Sequence, residues 1–154
     1  MALEFSTIGV KLKYCVETTA GTRPTSGYTE IPDIKSTPSF DFNPSKLQVT
    51  NLSDSNHRYI LGVQDVGDSY DYVCNLTANL RSVWETLVAA AETARAGGKS
   101  TWFETVIPNL GSFYFAGMPN QLGVNEMNVD AVIETTLHIV PNIISGFATS
   151  STST

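Results

Sequence analysis

Apolar and polar residues alternate over residues 8–17, IGVKLKYCVE: Val10, Leu12, Tyr14 and Val16 fall on one side, Lys11, Lys13, Cys15 and Glu17 on the other. A period of two is that of a half-buried strand. Gly21, Pro24 and Gly27 then mark a loop. YTEIPDIKSTPSF reads as extended chain broken by Pro32 and Pro38, which puts it at a sheet edge or kinks it. YDYVCNLT (70–77) alternates again, with Tyr70, Tyr72, Cys74 and Leu76 on one face. From Leu80 the period changes. Leu80, Val83, Trp84, Leu87, Ala90, Ala91 and Ala94 make the apolar stripe of an amphipathic helix over about 80–96. Asn79 is its expected N-cap, Arg95 suits its C-terminal dipole, and Gly97-Gly98 supplies a left-handed stop. Trp84 and Leu87 are the expected anchors onto a sheet.

STWFETVIP (100–108) and GSFYFAGMP (111–119) predict two strands joined by a short turn. NVDAVIETTLHIVP (128–141) predicts the longest strand, with Val129, Ala131, Ile133, Thr135, Leu137 and Ile139 on one face and Asp130, Glu134 and His138 on the other. Residues 142–154, small and polar, predict a mobile tail after a single domain over 1–141. Residues 40–69 are the least regular part, with KLQVTNL as a possible short strand. They keep Phe40, Phe42, Leu47, Val49, Leu52, Tyr59, Ile60, Leu61 and Val63, more apolar side chains than a disordered linker would carry. The expectation is a long loop that folds against something, plausibly another subunit.

Composition sharpens this picture. The 154 residues suffice for one domain with a hydrophobic core. Only 16% of residues are charged, and the net charge is −6. Nine scattered Lys and Arg residues do not make a phosphate-binding patch. No signal peptide and no transmembrane run is evident. Cys15 and Cys74 are expected to be free thiols.

The chemical motifs are few. Gly67-Asp68-Ser69 matches an esterase nucleophile block over three residues only, so a turn is the plainer reading and a small hydrolase using Ser69 the alternative. Asp65, Asp68 and Asp71 lack EF-hand spacing, and no metal or cofactor motif is present. Trp102 and the tyrosines leave a carbohydrate-binding sandwich open, provided that those aromatics lie exposed together. The residues therefore predict a mainly β, α+β domain with one packed helix, one long structured loop and no catalytic constellation.

The order of these blocks resembles the major tail tube protein of long-tailed phages with non-contractile tails. The resemblance runs through LKYCVETTAGTRPTSGYTEIPDI, LQVTNL, YILGVQDVGDSYDYV, LRSVWETLVAAAETARAGGKSTWFETVIP, FYFAGMPNQLGV and VDAVIETTLHIVP, from Ile8 to Pro141. It implies a β-sandwich or barrel-like core with one flanking helix. It implies hexameric rings stacked into a tube, inner strands joined into a continuous barrel, and a lumen through which DNA passes without specific binding. Tape measure protein in the lumen, tail initiator or baseplate, and tail terminator are the implied partners. The implied location is the virion tail, with assembly in the host cytoplasm. The loop at 40–69 would reach a neighbouring ring through Leu47, Val49, Leu52, Tyr59, Ile60 and Leu61. Asp130 and Glu134 are the lumen candidates, since a ring of six carries a net charge of −36 that would repel DNA phosphate. Lys11 and Lys13 weaken that acidic picture if the first strand also lines the bore. A tail terminator or a head-decoration protein is the nearest alternative.

Overall fold

A computed structural model describes residues 4, 6–41, 43–65 and 69–149. Seven antiparallel strands form the main sheet in the order β2-β1-β7-β8-β9-β6-β3. They are β1 (Lys11–Val16), β2 (Thr29–Ile31), β3 (Ile34–Ser36), β6 (Tyr70–Asn75), β7 (Thr101–Ile107), β8 (Gly111–Pro119) and β9 (Glu134–Ala148). β4 (Asn43–Gln48) and β5 (Tyr59–Asp65) make a separate two-stranded sheet, and α1 spans Ala78–Ala96.

The connectivity dictates the curvature. A flat seven-stranded sheet measures roughly 29 Å from edge to edge. Its two edge strands, β2 and β3, are linked only by Pro32 and Asp33, a gap that extended chain spans in about 10 Å. The sheet must curl until its edges meet, which gives a nearly closed, barrel-like body. Asp33, at φ 64°, makes the turn. Its carbonyl accepts from the Asn75 amide at 3.1 Å, and its carboxylate accepts from the Thr77 hydroxyl at 2.6 Å.

Inside the barrel, Leu12, Ile31, Tyr72, Cys74, Phe103, Phe113, Phe115, Leu137 and Ile139 join Leu80, Trp84 and Leu87 of the helix in one buried cluster. Phe103 stacks on Phe115 with ring centroids 5.4 Å apart. The helix packs against β1, β2 and β8. Trp84 is 1% exposed, and its indole N–H donates to the Asn120 carbonyl at 2.9 Å. The N-cap is Thr77 rather than Asn79: the Thr77 hydroxyl accepts from the Leu80 amide at 3.1 Å, so the helix starts at Ala78, ahead of the apolar stripe that begins at Leu80. At the other end Gly98 alone takes the left-handed conformation, at φ 74°. Lys99 N–H then donates to Ala94 and Gly98 N–H to Arg95, the paired closure of a Schellman motif.

β7 and β8 are buried on both faces. Phe103 and Thr105 point inward, whereas Trp102 and Tyr114 point outward beneath the segment that follows β1. There Tyr28 meets Tyr114 edge-on, with centroids 5.8 Å apart, and the Arg23 guanidinium sits 4.1 Å from the Tyr114 ring centre. Tyr114 donates to Glu104 at 2.7 Å; burial first, and that carboxylate second, push its phenol up to about 12. Glu17, placed on the polar face by its alternation, is buried here. It accepts from the Trp102 indole at 2.8 Å and from the Gly21 and Ser100 amides at 3.0 Å each. Burial works to raise its pKa, but the three donors outweigh burial and hold the carboxyl below its ordinary value. A depressed carboxyl contributes stability that is complete above the unfolded pKa of about 4.3 and is lost as pH falls through the folded value. Wild type should therefore lose thermal stability between about pH 5 and about pH 3 more steeply than Glu17→Gln. Equal slopes in parallel melts would show that Glu17 contributes none of it.

Two expectations about the C-terminal third are corrected. The strand predicted over 128–141 begins only at Glu134; residues 120–133 carry no strand, and Val129, Val132 and Ile133 are exposed. Residues 142–148, expected to be a mobile tail beyond a domain ending at 141, continue β9 and pair with β8 as far as Ala148 opposite Ser112. Pro141 does not end the strand, because it sits opposite Gly117 at a bulge. A Cβ on Gly117 would lie 2.5 Å from the Val140 carbonyl, so only glycine allows this approach. Residues 150–154 lie outside the described residues.

Candidate assembly surface

Within the segment at 40–69, residues 43–65 form a hairpin and not an irregular loop; Phe42 and residues 66–68 lie outside the described residues. β4 and β5 pair antiparallel with Leu47 opposite Ile60, Lys46 opposite Leu61 and Gln48 opposite Tyr59. A bulge falls between Pro44 and Lys46. Gly62 is needed there, since a Cβ would meet the Ser45 side chain and lie 3.0 Å from its carbonyl oxygen. The connection at 49–58 is also organised. Val49 N–H donates to the Arg58 carbonyl at 2.9 Å, Arg58 N–H to the Thr50 hydroxyl at 2.8 Å, and the Arg58 guanidinium to Asp54 at 3.0 Å. The sequence hid this hairpin because its turn is long and its strands do not alternate cleanly. Asn-Leu-Ser-Asp-Ser-Asn at 51–56 carries no two-residue turn signal.

The hairpin's side chains have almost nothing of their own chain to pack on. Leu47, Val49, Leu52, Tyr59, Ile60 and Leu61 are all exposed, Leu61 by 73% and Val63 by 85%. Directly opposed residues share a face, so Leu47 and Ile60 lie on one side and Tyr59 and Leu61 on the other. Apolar groups on both faces of a two-stranded ribbon do not describe a flap meant to fold onto its own barrel. A contiguous exposed apolar surface of this kind marks an interaction site.

The two acidic candidates are separated by the structure. Asp130 is an exposed turn residue at φ 59°, not a member of the polar face of β9. Glu134 does start β9, but it forms an ion pair with Lys35 of β3, which offsets its charge. Lys11 is exposed and Lys13 half-buried on β1.

Ser69, Asp71 and His138 come together across β6 and β9. Ser69 Oγ donates to Asp71 Oδ1 at 2.6 Å, and His138 Nδ1 lies 2.6 Å from the same oxygen. The Ser69 hydroxyl most, then His138, hold the Asp71 carboxyl below its ordinary value against the effect of burial. A hydrolytic triad needs the serine bonded to the histidine and the carboxylate behind it. Here the serine is bonded to the carboxylate and the histidine meets that same carboxylate, which is not the triad's order. Gly67 and Asp68 of the three-residue match lie outside the described residues. Trp102 is buried, as are Tyr72 and Tyr114, so the aromatics do not form the exposed platform that sugar binding would use. Cys74 is buried and Cys15 half-buried; both are free, and burial raises both thiol pKa values. Among the described residues, no group of three or more His, Cys, Asp or Glu side chains could hold a metal ion. No helix among them is long and apolar enough to cross a membrane.

No family model matches the chain, and no curated protein matches it. The fold does have solved counterparts. A chain in the cryo-EM structure of the anti-feeding prophage baseplate, 6-fold symmetrised, superposes with a TM-score of 0.63 at 7% identity, covering 96% of this chain and 98% of that one. A chain from the tail of an empty gene transfer agent particle, refined with helical C6 symmetry, gives 0.54 at 16% identity over 90% and 96%. A chain from the virion of a native gene transfer agent particle gives 0.52 at 17% identity over 79% and 89%. The fold is thus one that occurs in components of phage-like tail particles. At these identities the likeness is one of fold alone.

Proposed function

We propose that this chain is a structural subunit of a phage tail tube, which assembles into hexameric rings that stack around a bore for DNA. The observation that carries the reading is the β4–β5 hairpin, an ordered ribbon with large exposed apolar side chains on both faces and no strand partner for it among the described residues beyond its own two strands. The shared fold supports it, as do the 6-fold and C6 symmetries of the particles in which that fold occurs. In the tube the hairpin's apolar residues are buried against the neighbouring ring. Asp130 lies at the bore, where negative charge keeps DNA from adhering, and Glu134, paired with Lys35, adds little net charge there. Tape measure protein occupies the lumen during assembly, tail initiator starts the tube, and terminator closes it. The subunit passes from host cytoplasm to virion tail, binds no cofactor and catalyses no reaction.

Negative-stain microscopy of concentrated protein, alone and with tail initiator, tests the reading. Hollow rings or tubes with six subunits per layer are expected. A protein that stays monomeric at high concentration and fails to join tails when initiator is supplied would overturn it. A single ring that never stacks would point instead to a terminator.

A further inference from the structure

A groove of about 260 Å³ runs between α1 and the chain that leaves β8. Trp84, Val88 and Ala89 line it from the helix, and Leu122 from the opposite wall. Both walls are fixed. The Trp84 indole N–H donates to the Asn120 carbonyl, and the Asn120 N–H donates in turn to the His138 carbonyl at 2.9 Å. One residue past Leu122, the Gly123 carbonyl accepts from the Thr135 hydroxyl at 2.7 Å. Val88 and Leu122 are half-buried against the core cluster that holds Trp84. The floor is therefore apolar, and the groove is preformed.

Its charge and size say what it fits. Glu85 and Glu92, both exposed, complete the helix side of the groove. Glu85 is paired with Arg81 at 3.1 Å, whereas no cation among the described residues forms an ion pair with Glu92. The opposite wall brings no cation either, since no Lys or Arg follows Lys99 in the sequence. An acidic groove repels phosphate, and this one is smaller than the roughly 300–1,000 Å³ of small-molecule sites. It suits a few large side chains of a protein, apolar ones with a cation beside them. One face of the hairpin has that make-up. Lys46 opposes Leu61 and Gln48 opposes Tyr59, so these four side chains share a face. Lys46, Tyr59 and Leu61 are all exposed. Arg58 is held by Asp54, whereas Lys46 has no carboxylate partner among the described residues. The exposure of this face shows that the hairpin does not fill the groove of its own chain.

Resting on the tail tube reading, we infer that the groove between α1 and Leu122 receives, from a second copy of this chain, the hairpin face that bears Lys46, Tyr59 and Leu61. Tyr59 and Leu61 cover Val88, Ala89 and Leu122. Lys46 lays its methylene stem along the same floor and brings its ammonium to Glu92. The contact is made by side chains and adds no strand to any sheet. It is heterologous: each copy gives a hairpin face and offers a groove, so the contact repeats from copy to copy. The pair of Lys46 and Glu92 sits at the rim, where it sets orientation more than affinity, and apolar burial supplies the rest.

A photo-crosslinking amino acid placed at Leu61, where the side chain is exposed and its replacement leaves the core intact, tests this. Isotopically heavy and light copies are mixed, assembled with tail initiator and irradiated, and the crosslinked peptides are read by mass spectrometry. The expected result is crosslinks from position 61 to residues 84–92 or 121–122 that join heavy and light copies at the frequency of random mixing. A charge swap gives a second readout, with no bulky probe in the contact. Lys46→Glu and Glu92→Lys should each lower the yield of tubes several-fold at low salt, and the two together in one chain should restore it. Mixed crosslinks to another segment, crosslinks to the groove only within one copy, or a double variant no better than the single ones would overturn the docking, while tubes of the unaltered chain keep the tail tube reading intact. Absence of any ring or tube from the unaltered chain would end both.

Discussion

Deleting residues 45–62 should leave a folded subunit that forms no long tubes. β4 and β5 make no ladder with the seven-stranded sheet, and none of the buried core cluster comes from them. Removing them should leave the melting temperature of the barrel within a few degrees of wild type. Assembly is another matter. Each large apolar side chain of the hairpin is worth roughly 1.5–3 kcal/mol when fully buried. Leu47, Tyr59, Ile60, Leu61 and Val63 are all exposed in the single chain. Losing even two of these burials per contact weakens association by at least about two orders of magnitude, since about 1.4 kcal/mol is tenfold. Sedimentation and microscopy of the deleted protein, with initiator present, give the answer. Normal tubes would remove the hairpin from the assembly surface. Amide exchange gives a second readout. The hairpin backbone is already hydrogen-bonded in the single chain, but its strands form an isolated ribbon, which is marginal in water. Protection over 45–62 should therefore rise strongly between free subunit and tube. Equal protection in both states would show that the hairpin is held within its own subunit.

Trp84→Ala should cost about 3–5 kcal/mol, a large part of the stability of a domain this size. Trp84 is among the largest fully buried side chains of the chain and joins the helix to the barrel interior. The substitution leaves a cavity among Leu80, Leu87 and their sheet partners, and it strands the Asn120 carbonyl that the indole satisfies. Trp84→Phe separates the two effects: it keeps most of the packing and loses the hydrogen bond, for a smaller cost of about 1–2 kcal/mol. Denaturant melts of the two variants check both values. An alanine variant as stable as wild type would mean that the helix is not anchored through this residue.

Local periodicity determined much of this protein. β1, β6 and α1 are legible in the order of apolar and polar residues, because each buries one face or stripe, and β7 and β8, buried on both faces, are legible as apolar runs between turn signals. The lack of a basic patch is equally a property of composition. What periodicity cannot carry is which elements lie next to each other. Glu17 is polar in sequence and buried in the fold because Trp102, some eighty-five residues away, supplies a donor. Asn79 and Thr77 are both sound caps on paper; the link from Thr77 to Asp33, at the point where the barrel closes, accompanies capping by Thr77. Residues 128–133 alternate as well as a strand does, yet among the described residues no strand pairs with them, and the Leu76 amide reaches only the Ile133 carbonyl at their end. Residues 142–148 look like a polar tail and become strand because β8 offers an edge.

The assembly surface divides in the same way. That residues 40–69 hold too many apolar side chains for a linker is a fact of the sequence. That these side chains stand on both faces of an ordered hairpin detached from the sheet is decided only by the tertiary structure. Strand pairing joins residues far apart in the chain, and neither composition nor local period records which edges are filled and which are left open.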